Sequence, residues 1–199
     1  MNTSTKPKIK IHIIPILIIG LLTAFDQLTK FIITSSFELY ESKPAIKNFL
    51  SFTYIQNRGM AWGMLQGKRV IFVALTIVIL LLCFAIYSNI ADKSKYRILR
   101  ANMIILIAGA LGNMLDRIKL GYVIDFFEVK FIEFPVFNVA DIYVVVSMIM
   151  IFILIMFKYS NEEFDEILGI SKKVPDIKTE KDFDEDVEES SEEIQEIEE

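Results

Sequence analysis

Val70–Ile90, VIFVALTIVILLLCFAIYSNI, runs for 21 residues without a charged side chain. A helix of that length rises roughly 30 Å, the thickness of a bilayer's hydrocarbon core, where a helix satisfies its own backbone hydrogen bonds. Three more apolar runs lie around it, at Ile11–Thr34, Ile98–Leu115 and Ile142–Phe157. The run at Ile98–Leu115 is the most interrupted, carrying Gly109, Gly112 and Asn113, and the last reaches spanning length if its helix begins near Asn138. With 53% apolar residues and a mean hydropathy of +0.45, the chain is too apolar for an ordinary water-soluble domain. The expected fold class is an α-helical integral membrane protein with four transmembrane helices.

The net charge of −5 conceals two regions. Residues 1–160 hold 17 Lys/Arg against 9 Asp/Glu, a balance of +8, and residues 161–199 hold 4 against 17, a balance of −13. Two parts are expected: a four-helix membrane domain over 1–160 and an acidic, disordered cytoplasmic tail over 161–199. Within that tail, Phe164, Ile167 and Leu168 have the spacing of one amphipathic turn on the membrane surface. Cys83 is the only cysteine, so no internal disulfide forms, and it reads as a small core or lipid-facing residue. His12 is the only histidine, which excludes a zinc site of the HExxH kind and a Ser-His or Cys-His pair at a buried site. It reads as an interfacial residue without a role. Lys6, Lys8 and Lys10 before Ile11–Leu22 imitate a signal peptide, but the apolar run continues to Ile33 and no small-residue cleavage site follows. A retained anchor is expected.

Basic residues beside the spans set orientation. Lys6, Lys8 and Lys10, then Lys93, Lys95, Arg97 and Arg100, then Lys158 all share one side of a four-span chain. The third connection carries only Lys119 and Lys130, while the first carries Lys43, Lys47, Arg58, Lys68 and Arg69 and weakens the contrast without reversing it. Both termini are therefore expected in the cytoplasm. The two outer connections contain extended-looking stretches, Phe49–Ile55 and Tyr122–Val129, that suit a small sheet or cradle.

This layout gathers polar residues at the outer membrane face. Asp26 and Lys30 lie four apart in DQLTK and share a helix face, which suits an ion pair within the span or a lysine reaching the outer headgroups. Asn113, Asp116 and Arg117 also share a face; they fit a helix end with a snorkelling arginine, and equally a site in which Asn113 orients an acid. Gly109 and Gly112 allow close approach of a helix or substrate. Asn138 and Asp141 have the spacing of a helix cap and an acidic third residue. Asp125, in the apolar stretch VIDFF, has no such explanation, and pairing it with Asp141 makes both intelligible as two acids sharing a proton around a water. A small transporter or channel is the rival, but it needs polar groups through the whole membrane depth, and here they cluster toward one face. A non-catalytic four-helix scaffold leaves Asp125 unexplained.

Five segments carry a family resemblance: DQLTK at 26–30, NRGMAWGML at 57–65, GALGNMLDR at 109–117, VIDFF at 123–127 and FNVAD at 137–141. In this order and spacing over residues 11–158, the chain resembles the bacterial lipoprotein signal peptidases (signal peptidase II), aspartic proteases of the plasma membrane. The resemblance implies a catalytic pair at Asp125 and Asp141. It implies substrate-binding or supporting positions at Asn57, Gly59, Asn113, Arg117 and Asn138, and structural motif residues at Asp26, Lys30 and Asp116. It further implies an extracytoplasmic β-cradle, a mobile segment over the site, and no metal or cofactor. The implied substrates are prolipoproteins cut before a diacylglyceryl-modified cysteine, and the implied location is the bacterial plasma membrane with the site near the extracytoplasmic face. Membrane lipids are the other expected partner; no nucleic acid is expected, and a monomer suffices. Met60 and Trp62 depart from the family's usual Ala and Phe, and the acidic tail exceeds the family core.

Overall fold

A computed structural model describes residues 13–59, 68–90 and 93–170. His12, the N-terminal lysines, Met60, Trp62 and the acidic chain from 171 onward lie outside the described residues. The four apolar runs form helices α1 (Ile13–Ser36), α2 (Arg69–Asn89), α3 (Arg97–Lys119) and α4 (Val139–Phe157), each long and apolar enough to cross a membrane. At 19 residues α4 is the shortest, and its rise of roughly 29 Å still matches the hydrocarbon core. α3 extends beyond its apolar run because the helix continues through Asp116 and Arg117 to Lys119.

α3 is the central helix, with α1, α2 and α4 packed against it. Its small residues explain why. A methyl group placed on Gly109 would lie 2.6 Å from the Ala140 carbonyl oxygen of α4, and one on Gly112 would lie 2.6 Å from Asp26 Oδ2 of α1. The α4 backbone therefore approaches α3 closely at Gly109, and the Asp26 carboxylate of α1 fits against α3 at Gly112, as small residues in membrane helices permit. α2 keeps only Phe72 and Cys83 fully buried; Ile86 and Tyr87 pack half-buried against the core, and most of its other apolar side chains face outward.

The connections α1–α2 and α3–α4 meet in one antiparallel sheet of strand order β1-β2-β3. β1 is Ser42–Ile46, β2 is Leu50–Asn57 and β3 is Val123–Val129. Pairing of β2 with β3 requires both connections to lie at the same end of the bundle, as a four-span chain dictates. The extended stretches read from the sequence became β2 and β3. β1 was not foreseen: all five of its residues are exposed and Pro44 interrupts it, so no apolar alternation marks it. An apolar cluster of Ile33, Tyr54, Ile124, Phe126 and Val139 joins the sheet to α1 and α4.

The other end of the bundle is closed by a short helix, α5 (Asn161–Leu168). Ser160 and Glu163 form a capping box, and Gly169 ends the helix at φ +72°. Ile167 inserts into a cluster with Cys83, Ile90, Tyr96, Leu99, Met103 and Leu154. Lys95 pairs with Glu163, and the Tyr96 hydroxyl donates to Glu166 at 3.2 Å. The sequence reading began the tail at 161, but the ordered bundle continues through Gly169. The amphipathic turn of Phe164, Ile167 and Leu168 packs on protein, because Ile167 meets side chains of α2, α3 and α4 and of the α2–α3 connection.

Candidate active site

Asp125 sits on β3 opposite Ile55 of β2, with Asn57 two residues further along the same face. That diagonal relation lets Asn57 Nδ2 donate to Asp125 Oδ2 at 2.9 Å. The Gly59 backbone N–H donates to Asn57 Oδ1 at 2.9 Å, which turns the amide's amino group toward the acid. Beyond β3 the chain doubles back, and Phe137 exchanges backbone hydrogen bonds with Phe127. Asn138, the next residue, is thereby laid against β3 and donates from Nδ2 to Asp125 Oδ1 at 2.6 Å.

Asn138 also starts α4. Its side-chain oxygen accepts from the Asp141 N–H at 3.0 Å, and Asp141 Oδ2 accepts from the Asn138 N–H at 3.0 Å. The capping expected from the spacing is present, and it occupies only one oxygen of Asp141. The other, Oδ1, accepts from Asn113 Nδ2 of α3 at 2.7 Å. One asparagine thus touches both aspartates, and the two acids belong to one hydrogen-bonded unit.

Behind this unit lies a buried ionic cluster. Lys30 Nζ is 2.9 Å from Asp26 Oδ2, 2.9 Å from Asp116 Oδ2 and 3.0 Å from Asn113 Oδ1. Lys30 is 1% exposed and Asp26 is fully buried, so the lysine does not extend to the headgroups as one sequence reading had it. Two carboxylates within reach outweigh a distant interface as the place for its charge. Asp26 Oδ1 accepts from the Ala140 N–H at 2.9 Å, and Asp116 Oδ2 from the Ile124 N–H at 3.2 Å. Those bonds tie α1 to the start of α4 and α3 to β3. Arg117 donates to the Asn113 carbonyl at 3.3 Å and stacks its guanidinium over Phe72, 5.0 Å from the ring centroid.

Burial pushes the Asp125 carboxyl up to about 7, and the nearby Asp141 adds to the shift. The hydrogen bonds from Asn57 and Asn138 and the charge of Lys30 oppose it without cancelling it. An acid poised near neutrality beside a second acid has the electrostatics of a shared-proton pair.

A family model described as signal peptidase (SPase) II matches residues 18–157. The chain belongs to the signal peptidase II family. Among its relatives, the lipoprotein signal peptidase of Enterococcus faecalis is 38% identical over 144 residues, covering 72% of this chain and 88% of that one. The lipoprotein signal peptidase of Caldanaerobacter subterraneus is 39% identical over 144 residues, with coverages of 72% and 96%. A solved bacterial membrane enzyme, determined in meso at 2.3 Å resolution, shares the fold with a TM-score of 0.67 and 36% identity over 76% of this chain and 93% of its own. A second, at 1.9 Å resolution, has a TM-score of 0.65 and 35% identity over 75% and 96%. This signal peptidase II is therefore a multi-pass membrane peptidase, as the sequence resemblance implied.

All ten residues singled out in the sequence fall within this one network or against it. Gln27 was missed. Its Nε2 donates to Asp116 Oδ1 at 2.8 Å, to Asp26 Oδ2 at 3.2 Å and to the Gly112 carbonyl at 3.3 Å, joining the two carboxylates that hold Lys30. The signal was a polar side chain inside a span, next to an acid. The backbone N–H of Ala140 carries no sequence signal at all.

Proposed function

We propose that this signal peptidase II is an aspartic endopeptidase that removes signal peptides from prolipoproteins, cutting before the diacylglyceryl-modified cysteine, with Asp125 and Asp141 as the catalytic pair. The observation that carries this reading is the single residue Asn138 bonded to both acids, its side chain to Asp125 and its backbone N–H to Asp141, with Asn57 and Asn113 fixing their remaining oxygens. One carboxylate takes a proton from water as the water attacks the scissile carbonyl; the other, protonated, polarises that carbonyl and then supplies a proton to the leaving amine. The pair titrates jointly, so base and acid belong to the unit and not to either residue. Arg117 and Gly59 border the site as substrate-contacting or supporting groups, and Asp26, Lys30 and Asp116 hold the helices that carry it.

The enzyme works as a monomer in the bacterial plasma membrane, with both termini cytoplasmic and the sheet outside. A site at the sheet end of the bundle suits a substrate whose signal helix lies in the bilayer and whose lipid anchor lies at its surface. The test is cleavage of a diacylglyceryl-modified prolipoprotein by the purified enzyme in detergent, beside Asp125→Asn and Asp141→Asn. Wild-type cleavage and a loss of at least about 10³-fold in each folded variant are expected. Full turnover by either variant removes the dyad, and an intact substrate with wild type removes the peptidase reading of this substrate class.

A further inference from the structure

Every donor of Lys30 has an acceptor. The ammonium has three N–H bonds and meets three oxygens, on Asp26, Asp116 and Asn113, at 2.9, 2.9 and 3.0 Å. Two of these contacts neutralise the lysine in a buried place. The third does something else, because an ammonium can only donate. It accepts the Asn113 amide in one orientation, oxygen inward, and rejects the flipped form, which would set an amino group against it. With Oδ1 committed to Lys30 and to Asn138 Nδ2 at 3.1 Å, the Asn113 amino group points the other way, to Asp141 Oδ1 at 2.7 Å. A charge-assisted hydrogen bond is about twice as strong as a neutral one, so Lys30 contributes more to this orientation than Asn138 does.

We propose that Lys30 is a positioning residue of the acid pair: its ammonium turns the Asn113 amide so that the amino group holds Asp141. The inference rests on the dyad reading above. Asp26 and Asp116 hold the ammonium in place, Gln27 joins those two carboxylates, and the chain of contact runs from α1 through α3 to α4 within hydrogen-bond distance at each step. A lysine serving only to join helices would give the same stability without governing Asp141.

The test pairs Lys30→Met with Asp116→Asn, which removes one positive and one negative charge and leaves the cluster's net charge unchanged. The double variant is purified in detergent, checked for a cooperative melt, and assayed for kcat and KM on the lipid-modified substrate. The expected result is a folded enzyme with kcat lowered about 10- to 100-fold and KM little changed, since a misdirected Asp141 affects the reaction more than binding. A folded double variant with wild-type kcat overturns the inference. If that variant does not fold, Lys30→Arg decides. It keeps the charge, but its rigid fork cannot place one donor at the point shared by three oxygens. Lys30→Arg should then lower kcat in the wild-type background and have no further effect on the residual turnover of Asn113→Ala. Equal effects in both backgrounds, or no effect in either, overturn it. Loss of turnover in Asp141→Asn alongside a wild-type Lys30→Met/Asp116→Asn removes only the role of Lys30, whereas full turnover in Asp141→Asn removes the dyad itself.

Discussion

Asn138 does two jobs with one side chain: its oxygen caps α4 and its amino group holds Asp125. The first was readable from a spacing of three residues. The second was not, because it depends on Phe137 pairing with Phe127 to fold the chain back onto β3. Asp125 was conspicuous for the opposite reason, as an acid in an apolar stretch with nothing local to explain it. Its burial has a consequence for pH. A carboxyl raised from 3.8 to about 7 on folding binds its proton more tightly in the folded state. Folding stability from this group is therefore greatest at low pH and falls as pH rises from about 4 to about 7. The melting temperature in detergent should decline over that window in wild type and decline less in Asp125→Asn. Catalysis by a pair sharing one proton should also fall as pH rises through about 7, when that proton is lost. A kcat/KM that stays level between about pH 6 and 9 contradicts that assignment.

At the scale of elements, four helices and two of the three strands followed from apolar run length and from β-branched and aromatic composition. β1 escaped because it is exposed throughout; the amphipathic turn of α5 was legible, but its seat on protein was not, because that depends on partners from α2, α3 and α4 that no local pattern announces. The glycines of α3 were legible as sites of close approach, and the structure adds which neighbour each admits. Gly109 faces the carbonyl of Ala140, the residue before Asp141. A backbone oxygen cannot swing aside as a side chain can. Gly109→Ala must therefore part α3 from α4 by several tenths of an ångström or more, loosening the Asn113–Asp141 contact as it does so. Overpacking of this kind costs about 1–3 kcal/mol. Gly109→Ala should lower the melting temperature in detergent and reduce kcat of the molecules that remain folded. Gly20, with nothing near its Cβ position, is the control: Gly20→Ala should melt as wild type does. Equal melting of the two variants would mean that the α3–α4 contact is looser than described.

Over the whole molecule, the order of the spans predicts the polar residues at one end, and the shared sheet explains how that end is assembled. β2 comes from one connection and β3 from another, so neither strand can pair until α1 and α3 have brought their ends together. Charge gives the expected side of the membrane for this end, with the basic residues of the first connection weakening the contrast. Lys93, Lys95, Arg97, Arg100 and Lys158 gather at the opposite end, and positive residues are retained on the cytoplasmic side. The sheet should then be outside, where a lipid-modified substrate presents its cleavage site. Lys47, in the turn between β1 and β2, and Lys158, just beyond α4, are both exposed and lie at opposite ends. Cys83 is buried within α2, so it gives little background to a water-soluble thiol reagent. In sealed spheroplasts, a membrane-impermeant maleimide should label the Lys47→Cys variant and leave the Lys158→Cys variant unlabelled until detergent is added. The reverse pattern would turn the enzyme over in the membrane. The acid pair would then face the cytoplasm, away from the surface on which the proposed substrates are cut, and the proposal would fail on topology even with its chemistry intact.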